Sequence, residues 1–263
     1  MVNTFLVASP IVAGKPDENG YRRSAALLDF KRLNKQITEA MQIVNIIEGF
    51  EILAWIFKDP VPEINSCHEW VRRIKKRYDA LDAHIFRHQG KYKWIKKGNT
   101  LPKIKYDEKY EIRDDKIYHK KKVYKKFGCI LPGDLVVTLG FSLHPVVVMW
   151  LRRKGSLQYY VNAHIDEFVS QGGTERSLLK KYVTKRPFAE EKHPEWALDS
   201  TFHRNHKAAL YCKEIARSEK VHYIEMEDFK KASDYYLDKT PTNPKSNSDF
   251  LHYIWPYSHT QNK

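Results

Sequence analysis

One stretch restricts the fold of this chain more than any other: Asp29-Phe-Lys-Arg-Leu-Asn-Lys-Gln-Ile-Thr-Glu-Ala-Met-Gln-Ile-Val-Asn-Ile-Ile-Glu-Gly49. Asp29 is a residue type that accepts hydrogen bonds from the open N–H groups of a first helical turn. Gly49 is the type that closes a helix in a left-handed conformation, so the spacing predicts one helix between them. Leu33, Ile37, Ala40, Met41, Val44 and Ile47 recur at helical spacing and form a broad apolar face that needs a partner layer. Beside it runs a second stripe, Arg32, Gln36 and Glu39, continued by Ile43 and Ile46. A cation, an amide and a carboxylate therefore share one side of the helix, and the stripe turns apolar just past Glu39. A carboxyl group there is partly desolvated yet within reach of positive charge, the condition under which a Glu works as an acid or base. The same pattern also fits a surface helix with an ordinary ion pair.

Charge narrows the class of partner. The 263 residues suffice for one large domain or two small ones, and they carry a formal net charge of +14. Such a balance favours polyanions, with nucleic acid the first candidate and an anionic membrane surface the second. Cys67, Cys129 and Cys212 are scattered, odd in number and form no C-x-x-C pair. That argues against a disulfide framework or a cysteine zinc site and suits an intracellular, reducing compartment, whether cytoplasm, nucleus or virion. The opening Met-Val-Asn-Thr-Phe-Leu-Val-Ala-Ser-Pro is apolar, but it has no basic leader and is too short to span a bilayer. A strand or extended segment entering the core is expected there, and no membrane partner.

Along the chain, residues 10–19 are loop-like and Ser24 begins a short helical approach to Asp29. Past Gly49, an apolar segment runs to Phe57 before Pro60 and Pro62 end it. His68 to His88 reads as a basic helix with Trp70, Val71, Ile74, Tyr78, Leu81 and Ile85 on its buried side. Between Lys91 and Lys126 the sequence changes character, with 14 Lys/Arg against 5 Asp/Glu. Lysines and aromatics alternate there with period two, which predicts β-ribbons. Bases can stack on such aromatics while Lys120, Lys121 and Lys122 hold phosphates; a solvated insertion kept soluble by its lysines has the same composition. Leu135-Val-Val-Thr-Leu returns the chain to a core strand. Pro145 then suits the first position of a long helix that runs to Gly172-Gly173, with a kink or close approach at Gly155. Residues 178–193 are basic and looped, a further helix enters at Thr201, and Tyr253-Ile-Trp-Pro-Tyr257 forms an aromatic knot.

The chain has no Gly-rich phosphate loop, G-x-S-x-G elbow or H-E-x-x-H motif, so chemistry that depends on those devices loses support. His203 and His206 stand at i, i+3, half of a metal site with no matching pair, and a phosphate-binding or core role is preferred. His144 before Pro145 reads as a buried capping residue.

Taken in order, several segments resemble the pyrimidine-dimer DNA glycosylase family. They are Met1-Val-Asn-Thr-Phe-Leu, Leu28-Asp-Phe-Lys-Arg-Leu-Asn-Lys-Gln-Ile-Thr-Glu-Ala-Met-Gln-Ile, His144-Pro-Val-Val-Val-Met-Trp, Tyr160-Val-Asn-Ala-His-Ile-Asp-Glu-Phe, Phe202-His-Arg-Asn-His-Lys-Ala-Ala-Leu and the closing Tyr-Ile-Trp-Pro. The likeness is to the family's cellular and viral members more than to its small bacteriophage enzyme. It implies a mainly α fold: a compact helical domain from residues 1–54 and 136–263, with the basic, partly β block at 55–135 as an insertion.

The resemblance also implies glycosylase and AP lyase chemistry on damaged double-stranded DNA, with no metal or organic cofactor. By the family's pattern the nucleophile is the α-amine of Val2, freed by removal of Met1, and the catalytic carboxylate falls on Glu39. Arg32, Lys35 and Gln36 would position the sugar-phosphate, Asn3 would contact DNA, and His203, His206 and Lys207 would hold phosphate. Asn3, Thr38 and Gln42 stand where the phage enzyme carries arginines; Arg32 and Lys35, one or two turns earlier, are the available cations. A non-catalytic DNA-binding or packaging protein on the same scaffold is the alternative.

Overall fold

The computed structural model describes residue 6 and residues 9–88, 91–96, 110–113, 116–119, 122–125, 135–137, 139–174, 181–200, 202, 203, 206 and 207. Over these residues the protein is mainly α. A two-residue ribbon, β1 (Ile11–Val12) against β2 (Lys15–Pro16), leads into α1 (Asn19–Ala26), α2 (Phe30–Phe57) and α3 (Ile64–Asp79). Strands β3 (Ala83–His88), β4 (Lys91–Lys96), β5 (Tyr110–Arg113), β6 (Lys116–His119), β7 (Lys122–Lys125) and β8 (Leu135–Val136) follow. The helices α4 (Pro145–Met149) and α5 (Lys154–Ser170) come next, then 3-10 turns at Phe188–Glu190 and Glu195–Leu198. The chain divides into two compact units, one of Met1–Val44, Glu63–Asn65 and His144–Lys263, the other of Asn45–Pro62 and Ser66–Leu143. The division falls inside α2 and at Leu143.

In the first unit, Asp29 caps α2 as its type predicts: its carboxylate accepts the Arg32 N–H at 2.9 Å. Leu33, Ile37, Ala40, Ile43 and Val44 of α2 are buried, as are Leu157, Tyr160, Val161 and Ile165 of α5. Tyr21 of α1 packs edge-on against Tyr160 at 5.6 Å and Phe188 at 5.9 Å, a geometry aromatic pairs favour. A directional polar line crosses this interior. His193 donates from Nε2 to the Phe188 carbonyl at 2.8 Å. Its Nδ1 then accepts from Ser156 at 2.9 Å, and Ser156 lies 2.5 Å from the Tyr21 hydroxyl.

The single long helix expected from Pro145 is two helices. Arg152 takes φ 60 between them, and Trp150 is buried against Trp196, with ring centroids 5.1 Å apart. His144 does cap α4, its Nδ1 accepting the Val146 N–H at 3.2 Å. The Gly155 expectation resolves as a close approach, because a Cβ there would run into the Glu191 carboxylate.

In the second unit, α2 does not stop at Gly49. A mid-helix glycine costs about 1 kcal/mol relative to alanine, and the burial of Phe50, Ile52 and Leu53 just beyond it outweighs that. The helix ends instead at Lys58, φ 50, whose N–H bonds the Trp55 carbonyl while the Asp59 N–H bonds that of Ala54. That is a Schellman closure with Lys in the place of the usual Gly. Its length and composition would let α2 cross a membrane, yet 56% of its most apolar window is buried inside the fold.

Helix α3 begins before His68 and ends at Asp79, so the expected helix to His88 is a helix followed by a strand. Cys67, Trp70, Val71, Ile74 and Tyr78 face inward. Phe50 meets Trp70 edge-on at 5.4 Å. Asp59 ties the connection together, accepting from Trp70 Nε1 at 3.2 Å and Arg73 Nε at 3.0 Å, with Arg77 at 3.5 Å. The Arg73 hydrogen bond, above all, holds this carboxyl below its usual range. Burial pushes the Cys67 thiol up to about 12.

The expected β-ribbons form: an antiparallel β4-β3-β8 sheet and an antiparallel β5-β6-β7 sheet, the latter with a bulge at Ile117/Tyr118. Tyr78 donates to the Val137 carbonyl at 3.1 Å, anchoring α3 to the chain leaving β8. Lys122 opens β7. Lys120, Lys121 and the aromatic segment 253–257 lie outside the described residues.

Candidate active-site helix

The residues singled out on α2 occupy distinct settings. Glu39 sits on the helix side that turns apolar, with its side chain 11% exposed, whereas Lys35, one turn earlier, is 63% exposed. The two approach to 3.9 Å, so a cation at the water boundary faces a carboxylate inside it. A carboxylate so placed feels both desolvation and a nearby positive charge, which act on it in opposite directions. Arg32 pairs with Asp29, the cap of its own helix, which anchors its guanidinium at the N-terminal turn.

Gln36 is tied to α5: its amide oxygen accepts the Tyr160 hydroxyl at 3.2 Å. The Tyr160 carbonyl in turn accepts Nδ1–H of His164 at 2.8 Å, and the two rings lie 3.9 Å apart. Burial drives His164 down to about 4, so this imidazole is neutral at ordinary pH. Thr38, at a position where the resemblance puts an arginine, donates its hydroxyl to the Asn34 carbonyl at 2.9 Å. Neither Tyr160 nor His164 was assigned a site role from sequence, although their i, i+4 spacing on one helix was visible there.

His203 and His206, expected to hold phosphate, are both buried. The Leu6 N–H donates to Nδ1 of His206 at 3.2 Å, while the Leu6 carbonyl faces Nδ1 of His203 at 3.1 Å. Nε2 of His203 also faces a carbonyl, that of Ala197, at 2.7 Å. These imidazoles clamp the incoming N-terminal segment, whose Leu6 is fully buried. Lys207, half-buried beside them, keeps the basic character of that turn.

Val2 and Asn3 lie outside the described residues, so of the expected catalytic pair the geometry is given for Glu39 alone. Among the described residues no cluster of His, Cys, Asp and Glu could hold a metal ion. No protein-family model, curated protein or solved structure matches the chain.

Proposed function

We propose that this protein is a DNA glycosylase with associated AP lyase activity, acting on UV-type pyrimidine dimers or abasic sites in double-stranded DNA. The observation that carries the reading is the burial of Glu39. Among the described residues it is the one buried carboxylate, and Lys35 faces it from the solvent edge. The ordered motifs quoted above support the same reading, and with it a helical domain of the glycosylase type and an intracellular location.

The chemistry follows from the residues. An α-amine has a reference pKa of about 8, so at neutral pH far more of it is unprotonated than of a lysine. With Met1 removed, the Val2 nitrogen attacks C1′, the bond from C1′ to the base breaks, and the base leaves with the electron pair. The sugar ring opens to an imine, a covalent intermediate of amine catalysis. Glu39 stabilises the cationic sugar and takes the C2′ proton, and the C3′–O bond breaks by β-elimination. Water then releases the amine. Burial of Glu39 strengthens its interaction with the developing positive charge. His203 and His206 hold the backbone of Leu6.

Borohydride reduction of the protein mixed with an abasic duplex tests the proposal. A covalent adduct, mapped by mass spectrometry to a Val2 amine, is expected. Absence of any adduct with Met1 fully removed would overturn it. A second reading, a non-catalytic DNA-binding or packaging protein, draws on the excess of 14 basic over 5 acidic residues between Lys91 and Lys126. Such a protein binds duplex with steep salt dependence and gives no adduct.

A further inference from the structure

Tyr160 of α5 is fully buried, and its ring is held by three others: Tyr21 edge-on at 5.6 Å, Trp150 tilted at 6.0 Å and His164 at 3.9 Å. Its carbonyl accepts from His164 as well, so ring and backbone are both fixed. A phenol in such a place requires a hydrogen-bond partner, because an unpaired buried hydroxyl is costly. The hydroxyl reaches across to α2 and donates to the Gln36 amide oxygen at 3.2 Å.

Gln36 is an uneconomical partner if packing is the only aim. It is half-buried, and a long glutamine side chain loses much rotational freedom when it is held in one geometry. Its place on the helix is what distinguishes it. Glu39, the buried carboxylate, follows three positions later on the same side. Tyr160, Gln36 and Glu39 all belong to one compact unit. The bond also decides which end of the amide faces which way. An amide accepts at its oxygen and donates at its nitrogen. With the oxygen on the Tyr160 hydroxyl, the N–H groups are the end turned away from it. Such donors suit phosphate and deoxyribose oxygens, which accept. An immobile phenol that orients a half-exposed amide beside a buried carboxylate is the arrangement by which a binding group is fixed before its ligand arrives.

We propose that Tyr160 is a positioning residue of the repair reaction: it holds the Gln36 amide so that its N–H donors meet the sugar-phosphate beside Glu39. The inference rests on the glycosylase reading, in which Gln36 contacts DNA.

The test follows adduct formation over time, under borohydride, by the full chain at saturating concentration on an abasic duplex. Duplex anisotropy is measured beside it. The rate constant reports how well the bound sugar is placed, and the final yield reports how much of the protein is competent. Tyr160→Phe removes the hydroxyl and keeps the ring. It should lower the rate constant about tenfold, with yield and duplex affinity near wild type, since misplacement of a bound reactant acts on the chemical step. Gln36→Ala should lower it at least as much. The double variant should be no slower than Gln36→Ala, because the hydroxyl acts through that amide. An unchanged rate constant in Tyr160→Phe overturns the inference, and so do losses that multiply in the double variant. A loss confined to duplex affinity or to yield, down to no folded protein, also overturns it and makes the bond a tie between α2 and α5. In each of these cases the wild-type adduct still forms and the glycosylase reading stands. A wild-type protein that forms no adduct removes that reading and the inference with it.

Discussion

Two carboxylates associated with α2 are held in opposite ways. Asp59, just past the helix end, is wrapped by donors: the Trp70 indole, two nitrogens of Arg73 and, slightly farther, Arg77. Glu39, in the middle of the helix, is more deeply buried, and the cation that faces it is a mostly exposed lysine at 3.9 Å. A carboxylate fixed by planar guanidinium and indole donors has little to gain from a proton and much structure to lose. Glu39 lies at the boundary of the interior, where Lys35 reaches it from the water side. The contrast is one of depth: Asp59 ties elements together at the helix end, while Glu39 is buried within the helix.

The comparison breaks most visibly at Glu39. Glu39→Gln should lower strand cleavage at an abasic site by about a hundred- to ten-thousand-fold while duplex affinity persists, read by gel cleavage beside fluorescence anisotropy. Equal loss of both would make Glu39 a structural residue like Asp59.

The interior supporting Gln36 has its own acid limit. His164 is held at about 4 in the folded chain, against about 6.5 unfolded. The unfolded state therefore binds the proton first as pH falls. The contribution is complete above about pH 6.5 and is lost as pH drops toward 4, on the order of 3 kcal/mol in all. Denaturant titrations across that window should show the slope, and His164→Phe should flatten it.

Asp59→Ala should cost about 1–2 kcal/mol of stability, because donors to a charged acceptor lose their partner, with no change in cleavage per folded molecule. The smallest effect belongs to Lys35→Met. The pair joins a mostly exposed lysine to a buried carboxylate and, with solvent screening on the lysine side, contributes about 1 kcal/mol or less to stability, yet on the proposed DNA-binding role the loss of this cation should reduce the salt dependence of DNA affinity by about one unit of slope.

Local chemistry made part of this molecule legible in advance. The Asp29 cap, the His144 cap and the alternating strands after Lys91 each depend on neighbours a few residues away, and each forms. The end of α2 departs from the local glycine rule because the burial of Phe50 and Leu53 is tertiary. The spacing of Ile85 from Leu81 and Tyr78 fits a helix, but its burial comes from strand pairing with β4 and β8. Within the candidate site, the apolar turn of the stripe past Glu39 foretold its burial. Nothing near His203 and His206 foretold the Leu6 clamp, since their partner stands 197 and 200 positions away along the chain.

The thiol of Cys67 has a practical consequence. It is buried on α3 and held almost wholly protonated at neutral pH, so an alkylating reagent can label it only while that helix is open. With Cys129 and Cys212 replaced by serine, pulses of such a reagent would report how often the α3 region opens. Run with and without duplex, the labelling clock would tell whether DNA quiets that part of the molecule.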